Sequence, residues 1–349
     1  MAKLDEEKLK EQIKAQSFSN AYFIYGEESY LKEYYVGVLK EKLVDKAFED
    51  FNLHQFNGKK TPIEEILKDA DMLPMMGGCN FILVCDYPFD KSDNDCKMIK
   101  EYLSDIPETT VIVFRYDSIE PDIKKSARWK GVEAAFAKHG SSVCLEKRTE
   151  RDLVRVLING CKKRGAVLSQ DNAKYLISVS GSDMKTLLNE VEKLSSYVNG
   201  GEITKEIISS IAVKSLQAKV FDLSREMLKG NYEKAYSVLN SLFASKEDPI
   251  SVLSVISNCY VDMYRVKCAK TAGLSYEDVA EYYNYRGREF ALRNASRDCA
   301  SLSVNQLRKS LDALMQADNM LKSTSVNPRT VLEEAMVKLL LISKEVSYD

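Results

Sequence analysis

The feature that most limits what this chain can fold into is a change of rhythm near residue 147. Before that point, short apolar runs of strand length alternate with stretches of helical periodicity. After it, strand signals vanish. Ala21-Tyr22-Phe23-Ile24-Tyr25, the segment from Phe51 to Phe56, Phe81-Ile82-Leu83-Val84-Cys85, Thr110-Val111-Ile112-Val113-Phe114 and Ser142-Val143-Cys144-Leu145 read as strands. Helices are expected between them at about 4–15, 29–46, 62–72, 93–104 and 121–138. Alternation of this kind argues for a parallel sheet covered by helices on both faces. The runs at 81–85 and 111–114 read as its central strands.

The second part reads as all-helical. Thr149, Ser169, Ser182 and Thr204 each look like N-caps, and Gly165, Gly181 and Gly200-Gly201 look like helix closers. Longer helices follow, one opening at Pro249 and the last at Asn327-Pro328. The fold class expected is therefore α/β plus all-α. Its parts would be a sheet domain over 1–146, a small helical domain over 147–213 and a helical bundle over 214–349.

Within the first part, one stretch stands out. Thr61-Pro62-Ile63-Glu64 has the pattern of a capping box with proline at the first helical position. Leu73-Pro74-Met75-Met76-Gly77-Gly78 then stops the helix before the strand at 81. Met75 and Met76 so stand at the tip of a helix-to-strand connection. Burial in their own core is the ordinary fate of methionine. A polarizable plug for a pocket on another protein is the alternative.

Composition excludes several functions. The chain has 50 Lys plus Arg against 52 Asp plus Glu, so nucleic-acid contact would have to come from local patches. One is the helix holding Lys147, Arg148, Arg151, Arg155, Lys162, Lys163 and Arg164. A second holds Arg286, Arg288, Arg293 and Arg297 around Phe290, a mixture suited to phosphates and a stacked base. A solvated helix face, with Phe290 packed inward, is the competing reading. The eight cysteines and two histidines include no zinc spacing, and a reduced, cytoplasmic protein is expected. No secretory leader or membrane span is read. His54 and His139 have no neighbouring nucleophile, so no catalytic residue is assigned.

A strand entering a glycine turn and a helix invites a test for a phosphate loop. Walker A needs two glycines, a lysine and a hydroxyl in the order G-x-x-x-x-G-K-S/T. Within Tyr25-Gly26-Glu27-Glu28-Ser29-Tyr30-Leu31, Gly26 is the only glycine. Glu27 and Glu28 would repel phosphate, and we read no lysine in the required place. Asp86 stands where a Walker B acid would end its strand, but Tyr87 follows. The reading is a nucleotide-type frame that neither hydrolyses ATP nor binds it, with no cofactor and no metal.

Four runs carry a resemblance. They are Phe23-Ile24-Tyr25-Gly26-Glu27-Glu28-Ser29-Tyr30-Leu31, Phe51-Asn52-Leu53-His54-Gln55-Phe56-Asn57-Gly58-Lys59, the segment from Gly181 to Leu194, and Ala317-Asp318-Asn319-Met320-Leu321-Lys322-Ser323. In order and spacing they resemble the delta-subunit family of the bacterial DNA polymerase III clamp loader. The resemblance covers nearly the whole chain. It implies an AAA+-like domain with a degenerate nucleotide site, a helical lid and a helical collar. It implies a non-catalytic subunit, part of a nucleotidyltransferase assembly, that binds and opens the beta sliding clamp. Delta-prime and the tau/gamma ATPase subunits would join through the collar, with primed DNA held in the assembled loader. The family's clamp-binding position falls on Met75 and Met76, flanked by Leu73 and Pro74, and so implies exposure. A delta-prime-like stator and an unrelated helical scaffold are the alternatives. The zinc module and Ser-Arg-Cys motif usual in delta-prime are not found.

Overall fold

A computed structural model describes residues 3–4, 6–76, 78–286, 288–323 and 325–345. Gly77 and Gly287, both within stretches singled out above, lie outside the described residues. The chain divides into two compact units, 1–147 and 148–349.

The first unit contains β1 (Lys3–Leu4), α1 (Glu6–Lys14), β2 (Ala21–Tyr25), α2 (Ser29–Leu43), α3 (Glu49–Asn52), β3 (Leu53–Asn57), α4 (Ile63–Ala70), β4 (Asn80–Cys85), α5 (Asp93–Leu103), β5 (Thr110–Arg115), α6 (Ala127–His139) and β6 (Ser141–Cys144). The strands form one parallel sheet in the order β1-β6-β2-β5-β4-β3. Centre stage belongs to β2 and β5; β4, expected at the centre, lies one place from the β3 edge. Strand side chains alternate between the two faces. Ala21, Phe23, Ile82, Val84, Ile112 and Phe114 pack with Ile63, Ile66, Ile99, Trp129, Val132 and Phe136 of the helices. Their neighbours Tyr22, Ile24, Phe81, Val111 and Val113 are buried as well, which is why these strands read as unbroken apolar runs. Each buried Val, Ile or Phe among them contributes on the order of 1.5–3 kcal/mol by leaving water.

Local expectations fail where neighbours far along the chain intervene. Leu4, expected to open a helix, lies instead in the edge strand β1, whose two residues pair with Ser142 and Val143 of β6. Phe51 and Asn52, read as strand, close the short α3 instead. The segment 121–126 precedes α6, whose N-cap is Ser126.

The second unit is helical. It holds α7 (Glu150–Lys163), α8 (Gln170–Ser180), α9 (Met184–Val198), α10 (Lys205–Ile211), α11 (Leu216–Leu228), α12 (Tyr232–Ala244), α13 (Pro249–Thr271), α14 (Val279–Tyr282), α15 (Glu289–Asp298), α16 (Val304–Ser323) and α17 (Pro328–Lys344). Thr149, Ser169 and Thr204 cap as expected, each side chain accepting a backbone N–H. The cap of α9 is Asp183, not Ser182, because its carboxylate reaches the Thr186 N–H. Two apolar clusters form. One gathers α7–α10 around Leu157, Leu176 and Val191, and the other gathers α11–α17 around Val220, Tyr260 and Leu339. Phe221 packs against both. Among the described residues no helix is long and apolar enough to cross a membrane.

Candidate functional site

The connection from α4 to β4 is held from beneath by buried amides. α4 begins without the expected capping box: Pro62 occupies the N-cap position and has no side-chain cap bond to give. Asn80, at the foot of β4, donates its Nδ2 to the carbonyls of Asp69 (2.9 Å) and Met72 (2.9 Å), closing the helix end. Thr110 of β5 donates its hydroxyl to the Ala70 carbonyl at 2.8 Å. Such bonds satisfy the carbonyls that any helix C-terminus leaves without an intrahelical partner.

Beyond this root the chain turns outward. Leu73 is 84% exposed, Met75 50% and Met76 79%. Pro74 is half-buried. Exposure, not burial in the domain's own core, is therefore the fate of both methionines. Met76 takes a left-handed φ of 58°, a conformation that costs a residue other than glycine about 1–2 kcal/mol. Asn52, 23 residues earlier, fastens the turn: its Oδ1 accepts the Met75 N–H at 2.7 Å, and its Nδ2 donates to the Met75 carbonyl at 3.2 Å. Exposed apolar side chains in a strained turn, on a root whose helix-end carbonyls are bonded by Asn80 and Thr110, form a surface suited to a complementary pocket.

The place to look for a nucleotide is the C-terminal ends of the neighbouring strands β2 and β5. Connections leave these neighbouring strands in opposite directions, the place where open α/β sheets receive ligands. Here the sequence reading needs correction. Lys32 stands six residues after Gly26, the Walker A interval, so a lysine does occupy the required place. Its side chain is not available to a phosphate. Lys32 is buried, with Nζ donating to the carbonyls of Gly26 at 2.7 Å and Tyr116 at 2.5 Å. Asp117 lies 3.7 Å away. Burial pulls the ammonium's pKa down, and the Asp117 and Asp86 charges oppose that. Asp86 is likewise engaged. Its carboxylate accepts the N–H groups of Asp117, Ser118 and Ile119 and the Ser118 hydroxyl. Burial raises its pKa, but these hydrogen bonds outweigh burial and leave it low. Gly26 serves packing: at φ 114°, an added Cβ would lie 2.3 Å from the Leu145 carbonyl oxygen.

The arginine-rich segment looks different in place. Phe290 is only 6% exposed and packs into the α7–α10 cluster. This corrects its reading as a stacking platform: the apolar face of α15 needs it. Arg293 meets both Glu150 oxygens at 3.0 and 2.9 Å. Arg297 pairs with Asp298 at 2.8 Å, and Arg288 lies 3.8 Å from Asp262. Arg286 is exposed. Asp262 is buried and also accepts from the Tyr285 hydroxyl. Burial pushes its carboxyl pKa up, against the pull of that bond and of Arg288 and Arg265. On α7, Arg151 and Arg155 line an open groove of about 640 Å³ with Gln170 and Lys174.

The histidines do not converge on a nucleophile in the contacts seen. His54 Nδ1 lies 3.9 Å from Asp69, and His139 ends α6. All eight cysteines are free thiols. Cys85 and Cys144 end β4 and β6 half-buried.

Comparison with known proteins bears on the whole chain. Residues 22–135 match the family described as DNA polymerase III, delta subunit, and residues 217–339 match its C-terminal domain. The sequence is 22% identical to DNA polymerase III subunit delta of Bacillus subtilis over 327 residues, covering 91% of this chain and 92% of the relative. It is 23% identical to the probable DNA polymerase III subunit delta of Aquifex aeolicus over 257 residues, 72% of each chain. The solved Bacillus subtilis DNA clamp loader delta protein shares the fold, with a TM-score of 0.63 at 19% identity over 96% of this chain and 99% of that one. The sheet unit, the helical unit and both matched regions agree in order along the chain: it belongs to the DNA polymerase III delta subunit family.

Proposed function

We propose that this chain is the clamp-opening subunit of its loader and that the tip from Leu73 to Met76 is its contact with the sliding clamp. The observation that carries this is the exposure of Leu73, Met75 and Met76 on a braced turn. Met75 and Met76 would enter an apolar pocket on the clamp as the hot spot of the interface. Contacts around them would then favour the open ring interface over the closed one, since only differential affinity shifts such an equilibrium. The reading gives the chain no catalytic step of its own. Lys32 and Asp86, the positions where ATP and its metal would be held, already bond to protein groups. ATP enters through the ATPase partners, which with delta-prime would assemble on the α11–α17 helices as a collar. The sheet unit is then an AAA+-like domain, α7–α10 its lid, and the cytoplasm its site of action. Primed DNA in the assembled loader would meet exposed cations such as Arg151, Arg155 and Arg286.

The test is titration of the purified protein with the sliding clamp of the same organism. Wild type binds, and Met75→Ala/Met76→Ala loses at least tenfold, about 1.4 kcal/mol, with the fold unchanged by circular dichroism. Absence of wild-type binding overturns the reading in favour of a stator or scaffold. Binding that ignores the double substitution moves the contact elsewhere on the sheet unit. Equilibrium dialysis with ATP and magnesium checks the second part: saturable binding would show that Lys32 and Asp86 can be released.

A further inference from the structure

Four features converge on one side chain. Asn52 is 2% exposed, yet it follows Phe51, which is 57% exposed, at the end of α3. Its carboxamide makes two bonds of opposite sense to one residue of the tip, accepting from the Met75 N–H and donating to the Met75 carbonyl. The next residue, Met76, is in a left-handed conformation that a flexible turn would not hold by itself. The root beneath is separately closed by Asn80 and Thr110, so the bonds of Asn52 act on the outer part of the turn.

We propose that Asn52 is a positioning residue for the clamp contact, its carboxamide holding the Met75 backbone so that the exposed methionines stand in their binding shape before the clamp arrives. The proposal rests on the reading of the tip as the clamp contact. The physical reason is the cost of ordering. A loop that samples many shapes must be immobilised when it binds, and fixing it in the free protein removes that cost from the association. A carboxamide suits this task because it offers a donor and an acceptor together, as a peptide group does. A hydroxyl offers less reach, and a carboxylate offers no donor when ionised.

The experiment uses the full-length chain in two measurements. Amide hydrogen exchange in the free protein should rise at least tenfold at Met75, whose N–H Asn52 accepts, in Asn52→Ala, while the amides of β4 and β5 stay protected. Affinity for the sliding clamp should fall about tenfold in Asn52→Ala. It should fall no further when Asn52→Ala is added to Met75→Ala/Met76→Ala, because a residue acting through the tip has nothing left to position. A residue serving only the core would instead give additive losses and raise exchange across the sheet. Should Asn52→Ala fail to fold, Asn52→Asp carries the test: it keeps an acceptor for the Met75 N–H and loses the donor to its carbonyl. The same direction of change is expected. If the methionine double substitution weakens binding while the Asn52 variants do not, or do so additively, the positioning role is wrong and the contact reading stands. If the methionine substitutions leave binding intact, the contact reading falls and takes the positioning role with it.

Discussion

The tip at Leu73–Met76 and the segment at Arg286–Arg297 both read in the sequence as surfaces in search of a partner, and their structures part company. At the tip, Leu73, Met75 and Met76 are exposed, while Asn52 and Asn80 bond the backbone beneath them. In the arginine segment, Arg288, Arg293 and Arg297 have acidic partners and Phe290 is core. The difference comes from the kind of interaction each can find inside its own chain. An ammonium or guanidinium can be met by a carboxylate from anywhere in the fold: Glu150 lies 143 residues from Arg293. An apolar side chain on a turn with its ends tied down has no such recourse, so its exposure says more about a partner than a run of positive charge does.

The sharpest way to break this comparison is Phe290→Ala. As a buried core ring its loss should cost roughly 3–5 kcal/mol of stability, read as a lower denaturant midpoint for the helical unit, with clamp affinity unchanged. A stable variant that lost affinity for single-stranded DNA would restore Phe290 as a stacking residue.

A smaller effect is expected from oxidation. Dilute peroxide should convert Met75 and Met76 to sulfoxides, each thioether gaining an oxygen as peroxide is reduced to water, and a polar group then stands where an apolar one must bind. Clamp affinity should fall about tenfold, some 1.4 kcal/mol. Met75→Leu/Met76→Leu should resist the treatment although the exposed Met315 is still oxidised. Equal sensitivity of that variant would place the damage elsewhere.

The smallest effect belongs to the ion pair. Glu150→Gln should cost only about 0.2–1 kcal/mol of stability, since Arg293 is half exposed. It should also free that guanidinium, raising affinity for single-stranded DNA slightly and steepening its salt dependence. No change in either would remove Arg293 from the DNA surface, while a large gain would show that the pair masks a binding site.

The buried strands, the caps at Thr149, Ser169, Thr204 and Asn327, the break near 147 and the position of the tip follow from the sequence by itself. They depend on periodicity and on side chains within a few residues of the backbone they satisfy. Only the tertiary structure decided the rest. The burial of Lys32 depends on Tyr116, 84 residues away, and the two-residue strand β1 exists through β6. Asn52 reaches Met75 across 23 residues, and Arg293 and Arg288 find carboxylates on distant stretches of the chain. Apolar periodicity is a property of one element, whereas a donor or a charge is satisfied by whichever partner the fold brings near. That choice is made between elements, where no local pattern records it.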